Sequence, residues 1–131
     1  MQSISPETIF RGNYAWEESL PQITKLTKSP LILGRGSNTN NLRNKIYIDL
    51  KNKKLNVNSA NLQFDCCYED ISRVKNIILK NNHDSVIAAG GGKVLDAGKY
   101  ISDCLDIHCI TVPLSASTCA GWTALSNIYT K

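Results

Sequence analysis

Ser85–Lys99 reads SVIAAGGGKVLDAGK: an apolar run, then Gly90, Gly91 and Gly92, then Lys93 at the start of a helical pattern. Glycines in that place let a backbone approach a ligand with no Cβ in the way. A helix N-terminus behind them offers unpaired N–H groups and the positive end of a macrodipole. Together these suit an anion, most often phosphate or pyrophosphate. The letters exclude two familiar phosphate loops. A P-loop needs Gly five residues before Gly-Lys and Ser or Thr after it, but Ile87 and Val94 flank Gly92-Lys93, and Lys93 and Tyr100 flank Gly98-Lys99. The G-x-G-x-x-G fingerprint fails because Leu95 stands at its third glycine. A plain glycine turn between strand and helix would use the same residues, and that alternative stays open.

A second segment, VPLSASTCAGWT, places Ser115, Ser117, Thr118 and Thr123 close together. Small hydroxyls beside backbone N–H groups suit contacts to phosphate, ribose or a polar substrate. They equally suit a turn that caps the next element. The two histidines, His83 and His108, lack ligand spacing and read as structural or surface groups.

The elements that must position these loops alternate. Thr8–Arg11 reads as a short edge strand. Ala15–Lys25 reads as a weak helix in which Pro21 fits a first turn better than an interior. Leu31–Leu33 is a strand ending in the turn Gly34–Ser37, and Asn38–Ile48 is a helix weakened by its asparagines. Lys51–Asn61 is loop, with a strand over Asn61–Asp65. Ile71, Val74 and Ile78 mark one face of a helix over Tyr68–Asn81. Val86–Ala89 is a central strand, Lys93–Leu105 a helix with Val94, Ala97, Ile101 and Leu105 inward, and Ile107–Val112 a strand stopped by Pro113. Such alternation predicts an α/β fold with a parallel sheet and helices on both faces. Ligands in such sheets bind at the carboxyl ends of strands, where Gly34–Ser37, Gly90–Lys93 and Pro113–Cys119 fall.

Composition bounds the rest. The 131 residues are 42% hydrophobic and 20% charged, a soluble globular balance sufficient for one domain. No apolar run is long enough to span a bilayer and no signal peptide is visible, so a cytoplasmic location and no membrane partner are expected. The net charge of +4 is scattered apart from Lys51, Lys53 and Lys54, which is not the basic stripe of a nucleic-acid binder. The five cysteines, Cys66, Cys67, Cys104, Cys109 and Cys119, are odd in number and lack C-x-x-C spacing. Buried thiols are expected rather than disulfides or a metal cage.

GGGKVLDAGK resembles the GGG-[SK]-x-x-D-x-x-K signature of the iron-containing alcohol dehydrogenase and glycerol dehydrogenase family. VPLSASTCAGWTALSNIYT resembles that family's later V-P-T-x-x-S-T segment and the strand that follows it. The resemblance implies a Rossmann-like, dehydroquinate-synthase-like N-terminal domain binding NAD or NADP, with the helical second domain absent. It implies that Gly90, Gly91, Gly92 and Lys93 hold the pyrophosphate, and that Gly34 and its turn lie near the adenosine ribose. Asp96 would orient the loop, Lys99 would be catalytic near the nicotinamide, and Ser115, Ser117 and Thr118 would contact the cofactor across the cleft. Arg35, Ser37 and Asn38 stand where NAD-dependent members often carry an acid, and a cation there suits a 2′-phosphate.

Where glycerol dehydrogenases carry Ser-Thr-Asp-Ala-Pro, this chain has Ser117-Thr118-Cys119-Ala120-Gly121-Trp122. That variant is similar to the hydroxycarboxylate branch, which implies a small alcohol, polyol or hydroxy or oxo acid as substrate, with Cys119 and Trp122 near it. A core tryptophan would equally explain Trp122. The family's iron or zinc would need the second domain, and the full-length form would be a homo-oligomer. The expectation is a dinucleotide-binding domain over 1–131, cut off before its metal domain and inactive alone. The alternative is a stand-alone nucleotide-binding module or a non-catalytic remnant.

Overall fold

Among the described residues ten elements follow one another, and their order forces the layering. They are β1 (Thr8–Arg11), α1 (Ala15–Leu26), β2 (Pro30–Gly34), α2 (Asn40–Asn52), β3 (Asn58–Asn61), α3 (Tyr68–Lys80), β4 (Ser85–Gly90), α4 (Gly92–Leu105), β5 (His108–Pro113) and β6 (Leu125–Tyr129). The structure, a computed structural model, describes residues 8–11, 14–35, 40–63, 67–113 and 125–129. The strands form one sheet in the order β1-β6-β5-β4-β2-β3. β3, β2, β4 and β5 are mutually parallel. β6 pairs antiparallel with both β5 and β1, so the sheet is parallel over four strands and antiparallel at one edge.

Right-handed crossovers then dictate the faces. From β2 the chain moves outward to β3, and it returns past β2 to β4 and on to β5. Reversal of direction puts α2 on one face and α3 and α4 on the other. The side chains agree. Ile32, Ile87, Ala89, Ile110 and Val112 pack against Trp16, Ile23, Ile46 and Leu50 of α1 and α2. The alternate residues Leu31, Leu33, Val86 and Ala88 pack against Val74, Ile78, Val94, Ala97 and Ile101 of α3 and α4. Every residue of β2 and β4 is buried, as a strand covered on both faces requires.

Three elements differ from the sequence expectation. Pro21 lies inside α1. An interior proline costs about 3 kcal/mol. Trp16 and Ile23, both fully buried, return about 1.5–3 kcal/mol each, so packing holds the helix together. α2 forms despite its asparagines because Arg43, Ile46 and Leu50 recur on one buried face. The strand near Asn61 lies earlier, at Asn58–Asn61, in register with Leu31–Gly34. Of the described cysteines only Cys109 is buried; Cys67 is half-buried and Cys104 exposed. Burial pushes the Cys109 thiol up to about 11, leaving it protonated at neutral pH. No described helix is long and apolar enough to cross a membrane.

The amino ends of β2 and β4 are stapled by side chains. Asp84 accepts hydrogen bonds from the N–H groups of Lys28 at 2.9 Å and Ser29 at 3.2 Å, and from the Thr27 hydroxyl. Thr27 also meets Ser85 Oγ at 2.7 Å, and His83 Nδ1 lies 3.0 Å from both Ser29 Oγ and Ser29 O. Partial burial alone would raise the Asp84 pKa, but the donors outweigh it and hold the carboxyl below its ordinary value. A carboxyl depressed in the folded state stabilises above its unfolded pKa and loses that contribution as pH falls through its folded value. Asp84→Asn is expected to lower unfolding free energy at pH 7 by about 1–2 kcal/mol. Urea midpoints at pH 7 and pH 3 should show the difference from wild type shrinking on acidification.

Candidate functional site

β2 and β4 are neighbours whose following helices leave in opposite directions, α2 to one face and α4 to the other. That divergence opens a crevice at their carboxyl ends, the usual ligand position in open α/β sheets. Its walls begin at Gly34 and Gly90.

On the β4 side the chain passes from Gly90 through Gly91, at φ −84° and ψ −172°, into α4. Among the described glycines none has a φ in the left-handed region. The backbone turn therefore does not require them. Space inside the protein does not require two of them either. Among the described residues a Cβ on Gly91 or Gly92 would meet nothing within 4 Å, whereas one on Gly90 would lie 3.1 Å from Val94 and one on Gly98 2.5 Å from Ala88 Cβ. Gly98 thus serves helix–strand contact, while Gly91 and Gly92 keep the space outside α4 open. No side chain caps this N-terminus, and no acid lies in its first turn. α2, which borders the other wall, also starts without an acid. α1 and α3 carry Glu17 and Glu18, and Glu69 and Asp70. Among the described residues, then, no acid in the first turn offsets the positive helix end at the glycines, and the exposed Lys93 stands beside it.

On the β2 side lies a residue that the sequence reading missed. Arg43 is 5% exposed, and its side chain covers Gly34 so closely that a Cβ there would lie 2.1 Å from Nε. Its Nη1 donates to the Ala89 carbonyl at 3.3 Å, bridging the ends of β2 and β4. Burial lowers the guanidinium pKa from its ordinary value, yet the group stays charged at neutral pH. The signal was present: Arg43 takes a turn in the stripe it shares with Ile46 and Leu50, and a charge on an apolar face calls for a reason.

The structure brings Gly34, Gly90, Gly91, Gly92 and Lys93 to this crevice. Asp96 and Lys99 lie further along α4, both exposed. Asp96 lines a groove with Tyr68, Lys75 and Tyr100 on the α3 side, and Lys99 sits near enough to Cys109 for its charge to be felt there. Neither is gathered with the glycines by the described residues. Ser115, Ser117, Thr118, Cys119 and Trp122 lie outside the described residues, as do Ser37 and Asn38.

A family model described as iron-containing alcohol dehydrogenase matches residues 6–131. An uncharacterised oxidoreductase of Synechocystis sp. is 32% identical over 130 residues, covering 98% of this chain and 33% of that protein. Glycerol dehydrogenase 1 of Schizosaccharomyces pombe is 28% identical over 127 residues, covering 96% of this chain and 28% of that protein. A crystal structure of glycerol dehydrogenase from the same yeast superposes with a TM-score of 0.69 at 21% identity, over 86% of this chain and 31% of that one. The chain spans about a third of the length of these relatives.

The glycines should separate by role when substituted. Gly98→Ala is expected to cost about 1–3 kcal/mol through overpacking against Ala88. Gly91→Ala and Gly92→Ala should each change stability by less than about 1 kcal/mol, since no described residue stands in the new methyl's way. Urea denaturation of the three variants measures this directly.

Proposed function

Because the chain belongs to the iron-containing alcohol dehydrogenase family, we propose that it forms the dinucleotide-binding part of an NAD(P)-dependent oxidoreductase. The observation that carries this reading is the open space at Gly91 and Gly92, on an uncapped helix end free of acids. A pyrophosphate fits that space. The N–H groups at the start of α4 donate to its oxygens, and Lys93 adds a positive charge at the same helix end. The turn after Gly34, beginning at Arg35, is proposed to meet the adenosine ribose at the other wall.

The bound nicotinamide supplies hydride transfer to or from carbon, and the protein's task is to hold it in reach of the substrate. Ser115, Ser117 and Thr118 are proposed to contact the cofactor from the opposite side of the cleft, with Asp96 and Lys99 along α4. Cys119 and Trp122 are proposed to border a small alcohol, polyol or hydroxy or oxo acid. A thiol in place of a carboxylate removes an acceptor for a polyol hydroxyl, which favours the hydroxy acid. Among the described residues no three His, Cys, Asp or Glu side chains come together as an iron or zinc ion would need. His83 is buried at the amino end of the sheet, bonded to Ser29, and does not fit such a role.

Fluorescence titration of the purified chain with NADH and NADPH tests the reading. Saturable binding of at least one is expected. Gly91→Val should weaken it by about tenfold or more, a loss of about 1.4 kcal/mol or more, with thermal stability kept. The 131 residues alone are expected to show no alcohol or hydroxy acid turnover with iron or zinc added. Absence of dinucleotide binding would overturn the proposal, and robust turnover would overturn the division of labour.

A further inference from the structure

Gly34 ends the β2 wall of the crevice, and its backbone is set from the β3 side. Among the described residues the β2–β4 register stops at Leu33↔Ala88, one residue short of it. The β2–β3 register runs on to Gly34↔Asn61, and the Leu62 N–H then donates to the Gly34 carbonyl at 2.8 Å.

β3 by itself is a weak foundation. It is the edge of the sheet, it has four residues, and NSAN has little β-propensity. The start of α3 supplies what the strand lacks. Asp70 Oδ1 accepts the Gln63 N–H at 3.1 Å, and Arg73 Nη2 donates to the Asn61 carbonyl at 2.6 Å. The two side chains also join each other, Arg73 Nη2 donating to Asp70 Oδ1 at 3.0 Å. Charge-assisted bonds of this kind are stronger than neutral ones. Three successive residues at the exit of β3 therefore have three anchors: Asn61 on Arg73, Leu62 on Gly34 and Gln63 on Asp70. The Leu62 side chain between them is buried in the core under α3 and α4. The dipole of α3 does not by itself call for this arrangement. Glu69 serves it from an exposed position, whereas Asp70 is 1% exposed and turned back onto β3.

We propose that Asp70 and Arg73 are positioning residues for the dinucleotide site: they hold the exit of β3, which through Leu62 sets where Gly34 stands opposite Gly90–Lys93. This rests on the dinucleotide reading above and deepens it by naming what fixes the spacing of the two walls. Neither residue touches the cofactor in this account. A ligand that spans both walls binds best when they are ordered before it arrives. Without the clamp the ligand must order the Gly34 wall itself, and its affinity falls by that cost.

Two readouts on the purified chain test this: hydrogen exchange at the Leu62 amide without ligand, and affinity for NADH and NADPH by fluorescence titration. Arg73→Met removes the bond to Asn61 from a side chain that is 35% exposed. It should speed Leu62 exchange by about tenfold or more and leave Val86 on β4 unchanged. It should also weaken whichever cofactor the wild type binds by about tenfold. Asp70→Ala should act in the same direction. Asp70→Asn keeps an oxygen for both donors and should stay within about threefold of wild type in both readouts. Should Asp70→Ala not fold, Arg73→Met carries the test. Unchanged Leu62 exchange in Arg73→Met would overturn the proposal. Faster exchange with cofactor affinity unchanged would also overturn it, as the mark of a purely structural clamp, and both results leave the dinucleotide reading standing. An Asp70→Asn chain impaired as much as Arg73→Met would overturn the role given to the Asp70 oxygen. A wild-type chain that binds neither cofactor would overturn both readings.

Discussion

The pairing of β2 with β4 is the constraint on which the rest of the molecule depends. These strands are adjacent in space but separated in sequence by α2, β3 and α3. Right-handed connections in opposite directions from that pair must place α2 and α4 on opposite faces. The crevice between their N-termini follows without any further instruction. Both strands are buried on both faces, and their core residues alternate between two separate clusters. Losing the pair would dissolve the crevice along with the core. At the other end of the same strands, the Asp84 and Thr27 contacts hold the pair in place, well away from the ligand end.

Burial and openness are divided between the two walls. Among the described residues nothing fills the β4 wall at Gly91 and Gly92, where a Cβ would meet no neighbour. The β2 wall is filled by Arg43, which leaves no room for any side chain at position 34. Glycine is used for opposite reasons at the two places. One is proposed to give access to a ligand, and the other gives access to an arginine. Both arrangements forgo stability that ordinary residues would supply, a pattern expected at sites selected for binding.

Much of this was legible in the sequence, for identifiable reasons. Helix α3 was readable because Ile71, Val74 and Ile78 repeat at helical spacing and the charges at its ends match its dipole. Strand β4 was readable because SVIAA is short, apolar and bounded by glycines. The glycine loop could be placed at the carboxyl end of a strand, though its letters could not separate a ligand loop from a plain turn. The φ angles, and the space beyond two Cβ positions among the described residues, show that the turn itself does not require those glycines. α2 was obscured because asparagine propensity opposes the helix and only tertiary packing of Ile46 and Leu50 decides in its favour. β3, with the sequence NSAN, has almost no β-propensity and exists because β2 offers it a parallel edge. Arg43 left a charge in the stripe of Ile46 and Leu50 as its one local signal, and its contacts to Gly34 and Ala89 are encoded by no local pattern. The antiparallel edge of β6 and β1 is likewise a long-range pairing.

The central claim is that an anion-bearing dinucleotide sits in the crevice between Gly34 and Gly90–Lys93. Backbone amide NMR of the labelled chain during addition of NADPH tests it most directly. The account predicts that the amides of Gly34, Ala89, Gly90, Gly91, Gly92 and Lys93 shift first and furthest, while those of Ser29, His83 and Asp84 at the opposite end stay still. Shifts confined to the α3 surface or the amino ends of the strands would contradict it, as would a spectrum that does not respond at all.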